Sequence, residues 1–255
     1  MTALVPLCLG WLSHDASLMM PGETGAMRIP IPGYAVVHER GTVLFDTGLH
    51  EPLMHSSDEL GALAAMYTPE LTPDDLAEVQ LARAGIDPDS VSHVVNSHLH
   101  FDHCGRNGPF PHAVTLVQAA EWEAAQHPTR YAYVGVPRDE IAAGDLRLVE
   151  GAVDLFGDGT VVLVPTPGHT VGHQSLLVRA STAPDADAAL LVGDACYLRR
   201  MLTARVTPGF AIDVAGQLAT YETLARHEAD GARLLFSHDI DEWDAVPAGL
   251  RRPAT

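Results

Sequence analysis

Apolar residues in this chain fall in short, dense runs and seldom at sustained helical spacing. Nine runs rich in Val, Leu and Ile are bounded by Gly, Pro, Asp or Ser, and they predict strands over residues 5–11, 34–38, 43–46, 91–96, 114–117, 161–164, 175–178, 189–192 and 233–236. Helical patterning is sparser. Thr72-Pro73-Asp74-Asp75 has the form of a helix start, with Thr72 as N-cap, Pro73 in the first turn and acids behind it, running toward Gly85. A second helix is predicted over 214–228, and further helical stretches over 119–126 and 138–143. The Pro- and Gly-containing segments 19–33, 50–72 and 199–213 predict surface loops long enough to shape a substrate pocket.

Two stretches share one plan, an apolar strand followed by Ser and His: Val94-Val95-Asn96-Ser97-His98 and Leu234-Leu235-Phe236-Ser237-His238. Strand ends that each deliver a histidine suggest two sheets meeting at one site, with helices outside. The expected class is α/β, and 255 residues with 47% apolar content suit a single domain spanning 1–255.

Charge narrows the partners. A net charge of −18 argues against nucleic acid or an anionic membrane surface, since both require clustered cationic side chains. All 15 basic residues are Arg, and no mechanism is drawn from that bias. Cys8, Cys104 and Cys196 form no CxxC pair and cannot all be paired within one chain, so a reduced, cytoplasmic setting is expected. The apolar stretch 3–12 has no preceding basic residue and reads as a first strand, not a secretory signal. No apolar run approaches membrane-spanning length.

The most concentrated chemistry is Ser97-His98-Leu99-His100-Phe101-Asp102-His103. In a loop leaving a strand, His98 and His100 can point one way while Asp102 and His103 turn toward a neighbouring point, so one segment can serve two metals. Imidazole and carboxylate suit zinc, and three protein ligands leave a position open for water. The bland alternative is a group of capping histidines. Against it stand three more strand-end candidates: His169 in Pro165-Thr166-Pro167-Gly168-His169-Thr170, Asp194 after Leu191-Val192-Gly193, and His238. Asp194 is the natural bridge, because a carboxylate can use its two oxygens on two cations.

Taken together, Phe45-Asp46-Thr47-Gly48, the string from His98 to His103, Pro167-Gly168-His169, Gly193-Asp194 and Ser237-His238-Asp239 resemble the metallo-β-lactamase superfamily. Within it, Asn107-Gly108, Gly168-His169-Thr170-Val171-Gly172-His173, Asp194-Ala195-Cys196-Tyr197 and Ser237-His238-Asp239 resemble the N-acyl-homoserine lactonases, the quorum-quenching hydrolases. The resemblance implies a four-layer αβ/βα sandwich with two Zn²⁺ per chain. It places His98, His100 and His169 on one zinc and Asp102, His103 and His238 on the other, bridged by Asp194 and a hydroxide that attacks the lactone carbonyl. It gives Tyr197 the role of oxyanion donor and Asp102 a part in protonating the departing ring oxygen. Asp46, Thr47, His173 and Asp239 would orient ligand loops by outer hydrogen bonds, while Cys104 and Cys196 would be small buried fillers. A loop-mediated homodimer would match the family.

Alternatives stay open at this point. The substrate is a small-molecule lactone, either an acyl-homoserine lactone or one of the 4-pyridoxolactone or γ-butyrolactone type. A glyoxalase II-like thioesterase would share most ligands but needs a longer C-terminal region than the 17 residues after His238. A binding protein on a decayed hydrolase fold would have lost a ligand, and none is missing. Arg106 stands where many homoserine lactonases have glycine, and either meets a substrate carboxylate or carbonyl or faces solvent. Met19, Met20, Ile29, Ile31, Met66 and Tyr67 are candidates for a channel lining, or else ordinary packing.

Overall fold

The computed structural model describes residues 1–129, 131–209 and 211–251. The first half of the chain forms β1 (Ala3–Asp15), β2 (Ala26–His38), β3 (Gly41–Phe45), β4 (Tyr67–Glu70), β5 (Val91–Val95), β6 (Val114–Gln118) and β7 (Asp145–Val149), in the spatial order β4-β1-β2-β3-β5-β6-β7. The second half forms β8 (Val153–Asp154), β9 (Val161–Pro165), β10 (Gln174–Arg179), β11 (Ala188–Gly193) and β12 (Ala232–Phe236), in the order β12-β11-β10-β9-β8. Strands β3, β5, β6 and β7 run parallel to one another, as do β11 and β12.

Among the described residues five α-helices complete the layers: α1 (Ala77–Arg83), α2 (Ala119–Ala125), α3 (Arg138–Ala143), α4 (Arg199–Ala204) and α5 (Val214–Ala229). Helix α1 packs on β1, α2 on β6 and α3 on β7, while α5 packs on β12. Alternation along each strand then explains the dense apolar runs. Tyr34, Val36, Val43 and Phe45 from one sheet meet Leu176, Val178, Leu191 and Leu235 from the other in an inter-sheet core. The intervening Ala35, Leu44, Leu190 and Leu234 face outward and are also buried, in the larger core that includes Leu81 of α1 and Leu224 of α5. Strands covered on both faces carry no polar alternation. This is the αβ/βα sandwich expected of the sequence.

All nine predicted strands are present, and the loops are more ordered than expected. Residues 26–33 extend β2, β4 lies inside the segment 50–72, and α4 lies inside 199–213. The helix starting at Thr72 is interrupted. Asp75 accepts the Thr72 N–H at 2.8 Å, but the turn stops at Leu76 (ψ 139°) and α1 begins only at Ala77. The break lets Leu76 and Ala77 bury in the core. No helix among the described residues is long and apolar enough to cross a membrane.

Candidate metal centre

Each candidate ligand sits just beyond the C-terminal end of a strand, where the sheet fixes the backbone and the turn aims the side chain. After β5 the chain turns through residues 97–103, closed by a bond from the His103 N–H to the His100 carbonyl at 3.0 Å. The turn is pinned to β3 by Asp46, whose Oδ1 accepts the Ser97 N–H at 2.7 Å. Asp46 adopts φ 60°, an uncommon conformation for a non-glycine residue, held at a functional turn.

The side chains converge as two groups, one of His98, His100, His169 and Asp194 and the other of Asp102, His103 and His238. His169 Nε2 lies 3.2 Å from His98 Nε2 and 3.0 Å from His100 Nδ1. Ligand atoms around a tetrahedral zinc, with metal–nitrogen bonds of about 2.05 Å, are separated by about 3.3 Å, so this nitrogen triangle has the size a zinc ion requires. Asp194 faces both groups: its Oδ2 is 3.4 Å from His169 Nε2 and 3.8 Å from His98 Nε2, while its Oδ1 is 3.1 Å from His238 Nε2 and 3.3 Å from His103 Nε2. Asp102 Oδ2 stands 3.4 Å from His103 Nε2. His103 Nε2 is itself buried and makes no hydrogen bond, an orphan that a cation would satisfy. The donor set fits two divalent ions.

In His98, His103 and His238 the other ring nitrogen is held from behind. Asp46 Oδ2 takes the His103 Nδ1–H at 2.9 Å, the Pro30 carbonyl takes that of His238 at 2.9 Å, and Ser97 Oγ lies 3.0 Å from His98 Nδ1. Such partners fix the tautomer and leave a lone pair aimed inward. Burial pushes the pKa values of His98, His100 and His169 down, so these rings are neutral and able to ligate. Burial acts the same way on His103 and His238, but nearby Asp194 and Asp102 outweigh it and raise both. Asp194 is held low by those two imidazoles against its own burial.

Tyr197 reaches over the first group, its hydroxyl 3.3 Å from His169 Nδ1. With His169 Nε2 turned to the other two rings, the tautomer that carries its hydrogen on Nδ1 donates to the phenol oxygen. Burial and the Asp194 charge raise the Tyr197 pKa far above its ordinary value, which keeps the phenol protonated. A cavity of about 310 Å³ opens above both groups, with His100, Asp102, Asp194, Tyr197 and His238 in its lining. Its walls are largely apolar, including Leu12, Met19, Ile29, Leu63, Met66 and Tyr67.

Of the channel candidates, Met19, Ile29, Met66 and Tyr67 therefore line this cavity, whereas Ile31 is fully buried in the core and Met20 packs beside it. His173 and Thr47 act as outer partners: His173 Nε2 accepts the Asp194 N–H, and Thr47 donates to Asn107 Oδ1 at 2.7 Å. Asp239 holds α4, accepting the Arg199 N–H at 3.1 Å. Cys104 and Cys196 are buried fillers, with burial pushing the Cys196 thiol up to about 12. Arg106 does neither thing expected of it. Its guanidinium is bound by Glu78, at 2.6 Å, and by Glu51.

Of the cavity and site residues that the sequence reading missed, Tyr133 and Glu121 stand nearest the candidate ligand loops. Tyr133 lines the cavity at φ 60°, its ring 5.7 Å from that of His100. Glu121, fully buried at the start of α2, accepts the N–H groups of Leu99 and Gly172. Neither lies in a motif; an acid in a first helical turn ordinarily reads as a solvent-facing dipole partner.

Comparison with known proteins agrees with this geometry. Residues 29–229 match the family model of the metallo-beta-lactamase superfamily. The chain is 34% identical over 235 residues to the N-acyl homoserine lactonase AttM of Azorhizobium caulinodans, covering 88% of each protein. It is 32% identical over 247 residues to an N-acyl homoserine lactonase of a Bacillus species, covering 93% of this chain and 92% of the relative. Among solved structures, an N-acyl homoserine lactone hydrolase with N-hexanoyl-L-homoserine bound at its catalytic metal centre superposes with a TM-score of 0.79 at 27% identity, over 96% of each chain. Strand-end ligands, two-sheet architecture and shared sequence converge, and the chain belongs to the metallo-β-lactamase superfamily, in the branch that holds the N-acyl homoserine lactonases.

Proposed function

We propose that this protein is a dinuclear zinc hydrolase that opens the lactone ring of N-acyl-homoserine lactones. In this reading His98, His100 and His169 would hold one ion and Asp102, His103 and His238 the second, with Asp194 available to both. The observation that carries it is the placement of the two Asp194 oxygens against two separate imidazole sets. A zinc pair bound there supplies an acidified water and polarises the ester carbonyl.

The chain's own groups do the rest. The lactone enters through the cavity with its acyl chain along Leu63, Met66 and Tyr67, which exclude water from the reacting ester. The protonated Tyr197 phenol donates to the carbonyl oxygen as negative charge develops on it. Asp102, in the cavity lining, takes a proton from the attacking water and returns it to the ring oxygen as the C–O bond breaks, giving the open hydroxy acid. The relatives' names, as N-acyl homoserine lactonases, support the same substrate class. The inter-sheet core built from both halves supports treating residues 1–255 as one hydrolase domain.

A hydrolysis panel tests the reading: acyl-homoserine lactones, simple γ-lactones, 4-pyridoxolactone, a thioester and a β-lactam. Acyl-homoserine lactones are expected to be opened fastest. Strong thioesterase activity without lactonase activity would overturn the assignment.

A further inference from the structure

Glu121 is fully buried, yet no cation pairs with it among the described residues. Its two oxygens are divided between two loops. Oε1 accepts the N–H of Leu99, the residue between His98 and His100, at 2.9 Å. Oε2 accepts the N–H of Gly172, three residues beyond His169, at 3.0 Å. The first loop leaves β5 of the seven-stranded sheet, and the second joins β9 to β10 of the other sheet. One carboxylate therefore ties together the two loops that carry the nitrogen triangle of His98, His100 and His169.

The surroundings are built for this contact. A Cβ on Gly172 would stand 2.3 Å from the Glu121 nitrogen, so only glycine lets the loop come close enough to bond. Burial pushes the Glu121 pKa up, opposed by the N–H groups of Leu99 and Gly172 and by the hydroxyls of Thr170 and Tyr133 beside the carboxylate. A site needing only packing would hold an apolar residue here, because burying a carboxylate is costly. The second ligand group has different holders: Asp46 behind His103, and the Pro30 carbonyl behind His238.

We infer that Glu121 is a positioning residue that clamps the His98–His100 turn to the His169 turn and thereby sets the metal affinity of the first subsite, independently of the second. The inference rests on the dinuclear reading above. Glu121→Gln keeps the size of the side chain but offers one acceptor oxygen to two N–H donors, so one strap is lost. Glu121→Asp keeps both oxygens on a shorter stem and restores part of the effect.

The test compares zinc retention of the three proteins against graded chelator, with circular dichroism and melting of their metal-free forms as the control for folding. Wild type is expected to hold two zinc ions, and Glu121→Gln one tightly and one about 10- to 100-fold more weakly, the range for outer partners of ligands. His238→Ala locates the loss: alone it leaves one tight zinc, and combined with Glu121→Gln it leaves only the weakly held one. Glu121→Gln holding both ions as wild type does, or losing both in parallel, overturns the clamp. If Glu121→Gln fails to fold, Glu121→Asp carries the same test: selective weakening of one ion is expected, and wild-type retention refutes the inference. A wild type that binds no metal refutes the dinuclear reading and the clamp with it, whereas a metal-loaded wild type matched by its variant refutes the clamp alone.

Discussion

His173 Nε2 accepts the backbone N–H of Asp194 at 3.0 Å, so the residue proposed to bridge the two groups is held at its backbone by a ring outside both groups. The ring's own orientation is fixed by a relay. His173 Nδ1 donates to Thr166 Oγ1 at 2.8 Å, Thr166 donates to Ser175 Oγ at 2.9 Å, and Ser175 donates to the Val192 carbonyl at 2.9 Å. The relay joins β9, β10 and β11, and it admits only the tautomer with a bare Nε2. Gly193 completes the fit: at φ 58°, a Cβ there would lie 2.8 Å from His173 Nε2.

This relay predicts acid sensitivity. Burial pushes the His173 pKa down to about 3, from 6.5 when unfolded. The unfolded chain therefore binds a proton that the folded chain refuses between those values, and stability is full above pH 6.5 and falls as pH drops toward 3. The slope for one such group is about 1.4 kcal/mol per pH unit. Denaturant unfolding of metal-free protein across pH 4–7 is the measurement, and His173→Gln should flatten the slope while lowering stability at pH 7.

Tyr197→Phe keeps the ring packed and removes the proposed oxyanion donor. Zinc content and melting are expected to be unchanged, with kcat falling by about 1–3 kcal/mol in barrier, roughly 5- to 150-fold. Wild-type turnover with both ions bound would remove Tyr197 from the chemistry.

Metal analysis of protein purified without chelator is expected to give two zinc ions per chain. Asp194→Ala removes the shared ligand and should abolish paired binding. Asp46→Asn can accept from Ser97 or from His103 but serves them poorly together, and a loss of about 10- to 100-fold in metal affinity or activity is expected.

Arg106→Ala separates recognition from support. With the guanidinium engaged by Glu78 and Glu51, KM for lactones should not change. Stability should fall by about 1–2 kcal/mol, between the values for exposed and buried pairs. A rise in KM with stability intact would show that Arg106 meets the substrate.

Legibility in the sequence followed burial. Central strands, covered on both faces, were visible as apolar runs, while β4, β7 and β8 were missed, and all three are edge strands. Tyr67-Thr68-Pro69-Glu70 contains a proline that demotes a strand reading, and Asp145-Leu146-Arg147-Leu148-Val149 is largely exposed. The candidate ligands were legible because they are crowded into strand-end motifs, and the structure brings all seven together. Arg106 was not, since its partners Glu51 and Glu78 lie 55 and 28 residues away and leave no local pattern. Glu121 escaped for the same reason.

The candidate ligands of this site come from the ends of β5, β9, β11 and β12, whereas much of the cavity wall comes from elsewhere: Leu63 and Met66 beside edge strand β4, Tyr67 within it, and Ala132, Tyr133 and Ile212 in connecting segments. Those segments contribute little to either sheet. A change of wall residue alters what fits above the two candidate ligand groups without disturbing the strands that aim them. Adaptation to a new lactone can thus proceed by surface drift at small thermodynamic risk, with the reactive apparatus inherited intact.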